Sequence, residues 1–167
     1  MVKTKVVLVG WLVMAVVTLD LVTKHWALQE LSDGRSIEIL GGLVPITLAF
    51  NRGAAFGLSI GSDPRFFFIP VTLLAIGFLL TLIWQSGPGE NGRVLAATLV
   101  LGGALGNLYD RVRWDQGVVD FIGPIDLGFM DWPIFNVADS AITCGAVLMG
   151  ISFLREDWRA RREGGEV

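Results

Sequence analysis

Two aspartates stand where a chain could use carboxyl groups for chemistry. Asp120 and Asp139 each lie between apolar or small neighbours and near the edge of an apolar segment. Carboxyl groups in such surroundings are partly desolvated, and two adjacent ones cannot both ionise easily, so one pKa rises. The result would be an acid and a base that together activate a water molecule. The local pattern equally allows a plainer interpretation, in which Asp139 caps a helix beside Asn136 and Asp120 is a loop acid.

An acid and a base also occur together near the end of the first apolar segment. Asp20 and Lys24 lie four positions apart, which places them on one face of a helix. Charges in a membrane segment are costly and usually face the protein interior. We expect an internal ion pair that orients the helix, and direct contact with a substrate is the alternative.

Two further groups of polar residues flank apolar segments. Residues 51–57 read NRGAAFG, and small residues around Asn51 and Arg52 suit a turn whose backbone approaches another group. A plain surface loop with an exposed arginine fits the same pattern. The second group, Asn107, Asp110 and Arg111, closes the third apolar segment. We therefore regard both groups as candidates for lining a polar site.

The scarcity of histidine and cysteine excludes several common chemistries. The chain has one of each, His25 and Cys144, so we expect no internal disulfide, no thiolate cluster and no zinc site of the HExxH type. We predict a site without metal or cofactor. The net charge of −3 offers no basic surface to nucleic acid.

The composition is that of a membrane protein. Of the 167 residues, 53% are hydrophobic and 17% charged, with a mean hydropathy of +0.61, whereas soluble domains carry about 25% charged residues. A spanning helix needs about 20 apolar residues. Four segments approach that length, at about 6–28, 66–84, 94–111 and 138–154. We predict an all-α integral membrane protein, a four-transmembrane-helix bundle in which residues 1–167 form a single membrane-embedded domain.

Small residues recur within two of these segments at a spacing of four. Gly102 and Gly106 lie in the third segment, and Ala141 and Gly145 lie in the fourth. Such pairs allow close approach of two helix backbones in lipid. The pattern therefore predicts helix contacts at these positions.

The basic residues and the loops predict the orientation. Lysines near the first residue and arginines after residue 154 favour cytoplasmic termini. Two long loops then lie on the outer side. Residues 36–51 contain two β-prone runs joined by Gly41 and Gly42, which is a hairpin signal, and residues 123–135 are similarly β-prone. We predict a small β-prone periplasmic loop platform at the membrane surface.

The polar groups, taken in chain order, resemble the signature blocks of bacterial lipoprotein signal peptidase (signal peptidase II). The matching blocks are Asp20 with Lys24, NRGAAFG from Asn51, Gly106-Asn107 with Asp110-Arg111, VDFI around Asp120, and FNVAD from Phe135 to Asp139. One block alone has little specificity. Five blocks in family order, among four predicted spans, are specific.

The resemblance implies a membrane aspartic endopeptidase that uses water as its nucleophile and needs no metal. Such an enzyme removes the signal peptide from diacylglyceryl-modified prolipoproteins, cutting just before the lipidated cysteine. It is a multi-pass protein of the bacterial inner (cytoplasmic) membrane with its active site on the periplasmic side. We expect lipidated prolipoprotein substrates and membrane lipid as partners, and no nucleic acid. The sequence does not fix the oligomeric state, but a single site built from one chain favours a monomer.

The resemblance also implies roles for individual residues. Asp120 and Asp139 match the catalytic pair, and Asp20 and Lys24 match a pair needed for stability or activity. The residues that match substrate-binding or supporting positions are Asn51, Arg52, Gly53, Asn107, Asp110, Arg111 and Asn136.

Two other classes of protein fit parts of the pattern. A small proton-coupled membrane transporter predicts acids near the bilayer midplane and often repeated halves, whereas these acids lie at segment ends and the halves do not repeat. An assembly subunit would leave the paired aspartates unexplained. The sequence leaves open which lipoproteins are processed, which aspartate is protonated at rest and how the outer loops move.

Overall fold

Four long helices form the body of the protein, which we describe from a computed structural model covering residues 2–53 and 63–164. The helices are α1 (Val2–Glu30), α2 (Arg65–Gln85), α3 (Asn91–Arg113) and α4 (Val137–Gly164). Each contains one predicted segment and extends beyond it. The extension is longest in α4, where the i,i+4 ion pair of Asp157 with Arg161 (2.9 Å) supports a charged, exposed helix end. Ala54–Gly57 of the NRGAAFG block lie outside the described residues.

Three of the helices are apolar and long enough to cross a membrane. Among the described residues, these candidate spans are Thr4–Glu30, Arg65–Gln85 and Val137–Trp158. The predicted segment at 94–111 falls within α3, which packs against all three other helices and contains many small or polar buried residues. A helix that faces protein on several sides needs less apolar surface than one that faces lipid, so α3 falls short on hydropathy. Its membrane crossing stays a prediction.

Glycines allow α3 to approach its neighbours closely. A Cβ at Gly102 would press on Val16, and one at Gly106 would press on the carboxyl group of Asp20, both in α1. Gly145 of α4 packs in the same way against the backbone of α3. The helix contacts predicted from the small-residue spacing are therefore confirmed at these three glycines.

A small antiparallel sheet lies at the end of the bundle that contains Asp20. Its strands, in spatial order, are β1 (Ile37–Ile39), β2 (Val44–Asn51) and β3 (Val118–Ile122), and a second hairpin pairs β4 (Ile125–Asp126) with β5 (Asp131–Trp132). The predicted hairpin is confirmed: Gly41 and Gly42 adopt φ of 69° and 92° between β1 and β2, a backbone conformation that favours glycine. The sheet register pairs Ala49 with Asp120 and Asn51 with Val118.

The sheet is fixed to the helices by packing and by one tight turn. Phe121 of β3 and Ile46 of β2 pack in an apolar cluster with Ala27 and Leu31 at the end of α1. Gly117, in the turn between α3 and β3, has a φ of +102°, and a Cβ there would overlap the carbonyl group at the end of β2. These contacts determine where Asp120 of β3 stands relative to the helix ends.

Candidate active site

Asp120 is a fully buried carboxyl group in the middle of β3. Its exposed fraction is 0%. Its Oδ1 accepts a hydrogen bond of 2.6 Å from Asn136 Nδ2, while its Oδ2 is buried without a hydrogen-bond partner among the described residues. A buried carboxylate oxygen without a donor is costly, because burial removes its hydration. The site therefore disfavours the charged form of this group.

The electrostatic surroundings of Asp120 act in the same direction. Burial, and then the negative charge of Asp139, raise the pKa of Asp120 to about 6, and the amides of Asn51 and Asn136 offset only part of this effect. A carboxyl group with a pKa near neutrality can both hold and release a proton under working conditions. The two aspartates are close enough to influence each other's ionisation, as the sequence interpretation requires.

Asp139 lies in the first turn of α4 and has a donor on each oxygen. Asn107 Nδ2 donates to Oδ1 (2.8 Å), and the backbone N–H of Asn136 donates to Oδ2 (3.2 Å). In return, Asn136 Oδ1 accepts the backbone N–H of Asp139 (2.8 Å), which completes a reciprocal capping arrangement. The plainer interpretation of Asp139 as a helix cap is thus correct in geometry, and it is compatible with a chemical role.

Two asparagines have side-chain amides whose orientation is determined by their partners. Asn107 Oδ1 accepts hydrogen bonds from Lys24 Nζ (2.9 Å) and Asn136 Nδ2 (3.2 Å), so its Nδ2 is turned to Asp139. Asn136 Oδ1 faces the N–H of Asp139, so its Nδ2 is turned to Asp120. Because a flipped amide would oppose these donors with another donor, the side-chain amide of each asparagine presents its N–H groups to one aspartate.

Lys24 is the centre of a buried ionic cluster. Its Nζ lies 2.8 Å from Asp20 Oδ2 and 2.9 Å from Asp110 Oδ2, and its third contact is Asn107 Oδ1. An ammonium group has three N–H donors, and three oxygens lie within 2.9 Å of this one. Lys24 is only 2% exposed and Asp20 is 0% exposed. The geometry agrees with the expected internal ion pair and gives Lys24 two carboxylate partners instead of one.

Both carboxylates of this cluster also hold backbone groups of the site. Asp20 Oδ1 accepts the N–H of Ala138 (2.9 Å), one of the groups that a helix start leaves without an intrahelical partner. Asp110 Oδ2 accepts the N–H of Val119 (3.2 Å). The cluster therefore connects α1 and α3 to the residues that precede Asp139 and Asp120.

The remaining sequence candidates lie on the more open side of the site. Asn51 ends β2, and its Oδ1 accepts the N–H of Gly53 (2.8 Å) in a tight turn. Arg111 is half-buried, donates to the carbonyl oxygen of Asn107 (3.3 Å) and lies near enough to Asp139 and Asp120 for their charges to interact. Arg52 is exposed at the rim.

One residue of this region was not singled out from the sequence. The guanidinium carbon of Arg111 lies 5.4 Å from the ring centre of Phe68 in α2. In the sequence, Phe68 is one of three consecutive phenylalanines at the start of an apolar segment. No sequence pattern distinguishes Phe68 from the two phenylalanines before it, so its contact with Arg111 was not predicted.

Comparison with known proteins identifies the family. The family model described as "Signal peptidase (SPase) II" (Peptidase_A8) matches residues 12–155. The chain belongs to the signal peptidase II family. The resemblance seen in the motif blocks is confirmed, and the transporter alternative has no support from these matches.

Named relatives of this signal peptidase II chain are similar over most of their length. The lipoprotein signal peptidase of Syntrophomonas wolfei is 42% identical over 149 residues, covering 88% of this chain and 93% of that protein. That of Pseudomonas aeruginosa is 39% identical over 147 residues, covering 87% and 86%. A solved structure described as a bacterial membrane enzyme, obtained by the in meso method at 1.9 Å, has a TM-score of 0.78 and 32% identity, covering 92% of this chain and 94% of that chain.

Metal binding was predicted to be absent. Within residues 2–53 and 63–164, no three His, Cys, Asp or Glu side chains come together as metal ligands would. Cys144 is exposed on α4. A site that works without metal stays a prediction for activity measurements.

Proposed function

We propose that this member of the signal peptidase II family is an aspartic endopeptidase that removes the signal peptide from diacylglyceryl-modified prolipoproteins, cutting just before the lipidated cysteine. Family membership and the names of the relatives support signal peptide removal. The observation that carries the aspartic mechanism is the position of Asn136, which bonds to Asp120 through its side chain (2.6 Å) and to Asp139 through its backbone N–H (3.2 Å). Two carboxyl groups that bond to the same asparagine, one of which is disfavoured as an anion, can act as an acid–base pair.

In the proposed reaction Asp139 acts as the base and Asp120 as the acid. Asp139 has two N–H donors and the positive end of a helix to stabilise its carboxylate form; Asp120 is the buried partner that favours the proton. Asp139 takes a proton from water as the water oxygen bonds to the scissile carbonyl carbon. Asp120 gives its proton to the developing oxyanion. When the C–N bond breaks, Asp139 passes its proton to the leaving amine, and the collapsing diol returns a proton to Asp120.

The neighbouring polar groups support this reaction by position and charge. Arg111 carries a positive charge close to both aspartates and can stabilise the oxyanion of the intermediate. Asn51 and Gly53 form the turn at the end of β2, where an extended peptide could be aligned. Substrate that covers the open side would exclude water and strengthen these interactions.

The proposed placement in the membrane brings this chemistry to the lipid boundary. Asp20 and Lys24 near the end of α1, Asp110 near the end of α3 and Asp139 at the start of α4 all lie at one end of the bundle. We propose α3 as the fourth span, cytoplasmic termini, and a periplasmic active site next to the β platform, in a single inner-membrane domain of residues 1–167 that works as a monomer. A substrate held in the bilayer by its diacylglyceryl group would meet the aspartates at that edge.

The test is cleavage of a diacylglyceryl-modified precursor by the purified protein, followed by mass spectrometry of the released signal peptide. We expect Asp120→Asn and Asp139→Asn each to lower the rate by about a thousandfold or more, because removal of either member disables an acid–base unit. Asp131→Asn, at an exposed acid of β5, is the matched control and should retain full activity. Near-normal cleavage by either dyad variant would refute the mechanism, and equal cleavage of precursor without the lipid would refute the substrate class.

A further inference from the structure

Phe68 connects two parts of the site that belong to different elements. It lies in the first turn of α2, where its backbone N–H donates to the carbonyl oxygen of Pro64 (3.0 Å). Arg65 in the same turn is bound through several N–H groups to the carboxylate of Asp63 (2.7–3.0 Å). These contacts stabilise the first turn of α2, from which the Phe68 side chain projects.

The face of the Phe68 ring meets the guanidinium group of Arg111, with 5.4 Å between the guanidinium carbon and the ring centre. A cation over an aromatic face is attracted to the negative charge density of the ring, an interaction that an aliphatic side chain of similar size cannot provide. Among the described residues Arg111 makes one hydrogen bond, a long one of 3.3 Å to the carbonyl oxygen of Asn107. The ring is thus a principal contact for the head group of this arginine.

The same ring packs against the turn that follows β2. Gly53 has a φ of +90°, and a Cβ at this position would overlap the Phe68 ring. Only glycine gives both the backbone conformation and the space. The N–H of Gly53 donates to Asn51 Oδ1 (2.8 Å), so the packed turn also orients the Asn51 side chain, which influences Asp120.

We propose that Phe68 is a positioning residue of the active site, whose aromatic ring holds Arg111 through its face and the Asn51–Gly53 turn through packing. The inference rests on the proposed function, because it assigns a task to Arg111 and Asn51 next to the two aspartates. Loss of the ring releases both groups, while loss of a neighbouring phenylalanine that faces outward does not.

The experiment compares kcat/KM for Phe68→Leu, Phe68→Tyr and Phe66→Leu in the lipidated-precursor assay. Phe68→Leu should lower kcat/KM about tenfold, in line with the loss of one partly desolvated cation–π contact. Phe68→Tyr keeps an aromatic face and should stay within about twofold of the wild type. Phe66 is 82% exposed, so Phe66→Leu makes the same chemical change without touching the site and should match the wild type.

Thermal unfolding in detergent is measured for each variant, so that a folding defect is visible. Full activity of Phe68→Leu would overturn the inference, and so would an equal loss in Phe68→Tyr or in Phe66→Leu. Asp120→Asn is included in the same assay. If Asp120→Asn cleaves normally, the proposed function fails first; if it is inactive while Phe68→Leu is fully active, only the inference about Phe68 fails.

Discussion

Asp120 lies inside a strand and Asp139 lies at the start of a helix, and this difference in backbone gives the same residue type two different environments. In β3 the backbone N–H groups on either side are used for sheet contacts and for Asp110, so Asp120 receives one side-chain donor and keeps a buried oxygen without one. At the start of α4, free N–H groups are available, and both oxygens of Asp139 are satisfied. Secondary structure, together with burial, therefore sets how many hydrogen-bond donors each of the two carboxyl groups has.

Asn136 bonds to both aspartates, so among the residues that support them its replacement should lower activity most. Asn136→Ser keeps a side-chain oxygen to cap α4 but removes the donor to Asp120, and we expect kcat/KM to fall by about two orders of magnitude, since a hydrogen bond to a charged or reacting group contributes about 1.5–3 kcal/mol. Asn136→Leu also removes the cap and should cost about tenfold more. The measurement is cleavage of the lipidated precursor, with Asn91→Ser, at an exposed asparagine of α3, as control.

A result in which Asn136→Ser retains at least half of the wild-type activity would show that Asp120 does not need this donor. Equal activities of Asn136→Ser and Asn136→Leu would show that the cap has no influence on catalysis.

Asn107 donates to Asp139 and to neither oxygen of Asp120, so its replacement tests one side of the comparison. Asn107→Leu removes the donor to Asp139 Oδ1 and leaves Lys24 and the Asn136 amide each without one acceptor. We expect activity to fall about thirtyfold, because the Asp139 carboxylate loses a hydrogen-bond donor. The alkaline limb of the pH–rate profile, assigned to Asp120, should stay in place. Asn91→Leu is the matched control, and a shift of the alkaline limb alone would reverse the assignment of base and acid.

The third prediction concerns the stability of the folded protein and not its activity. The pKa of Asp120 is raised from 3.8 to about 6, so between these values the folded protein binds more protons than the unfolded chain. Stability should therefore fall as pH rises from about 4 to about 6 and level off above, a change of about 3 kcal/mol for this group. Asp120→Asn should lack this component. Unfolding of both proteins in detergent across pH 4–8 isolates it as a difference, and a difference that does not vary with pH would contradict the raised pKa.

Local sequence patterns predicted much of the architecture. Apolar runs located all four helices, because a run of that length is stable in lipid only as a helix, and Gly41 with Gly42 located the first hairpin. The charged residues after 154 gave no apolar signal, so the continuation of α4 was not predicted. The helix α3 was located, but its hydropathy is too low for it to be a candidate span among the described residues. A helix that packs against three others carries small residues at positions that would otherwise be apolar.

The contacts of the candidate site were predicted less completely. The i,i+4 spacing placed Asp20 next to Lys24, but their partners Asp110 and Ala138 lie far along the chain and have no spacing rule to connect them. Phe68 could not be distinguished from its apolar neighbours, because a cation–π contact with Arg111 leaves no local pattern.

The sequence by itself determined which residues can do chemistry: a chain with one histidine and one cysteine, and with Asp120 and Asp139 among apolar neighbours, favours carboxyl groups. Tertiary structure decided how the two carboxyl groups differ. The packing of β3 between helix ends buries Asp120, and the start of α4 supplies Asp139 with hydrogen-bond donors. Hydrogen bonds depend on direction and on distances of tenths of an ångström, and only the folded chain sets those.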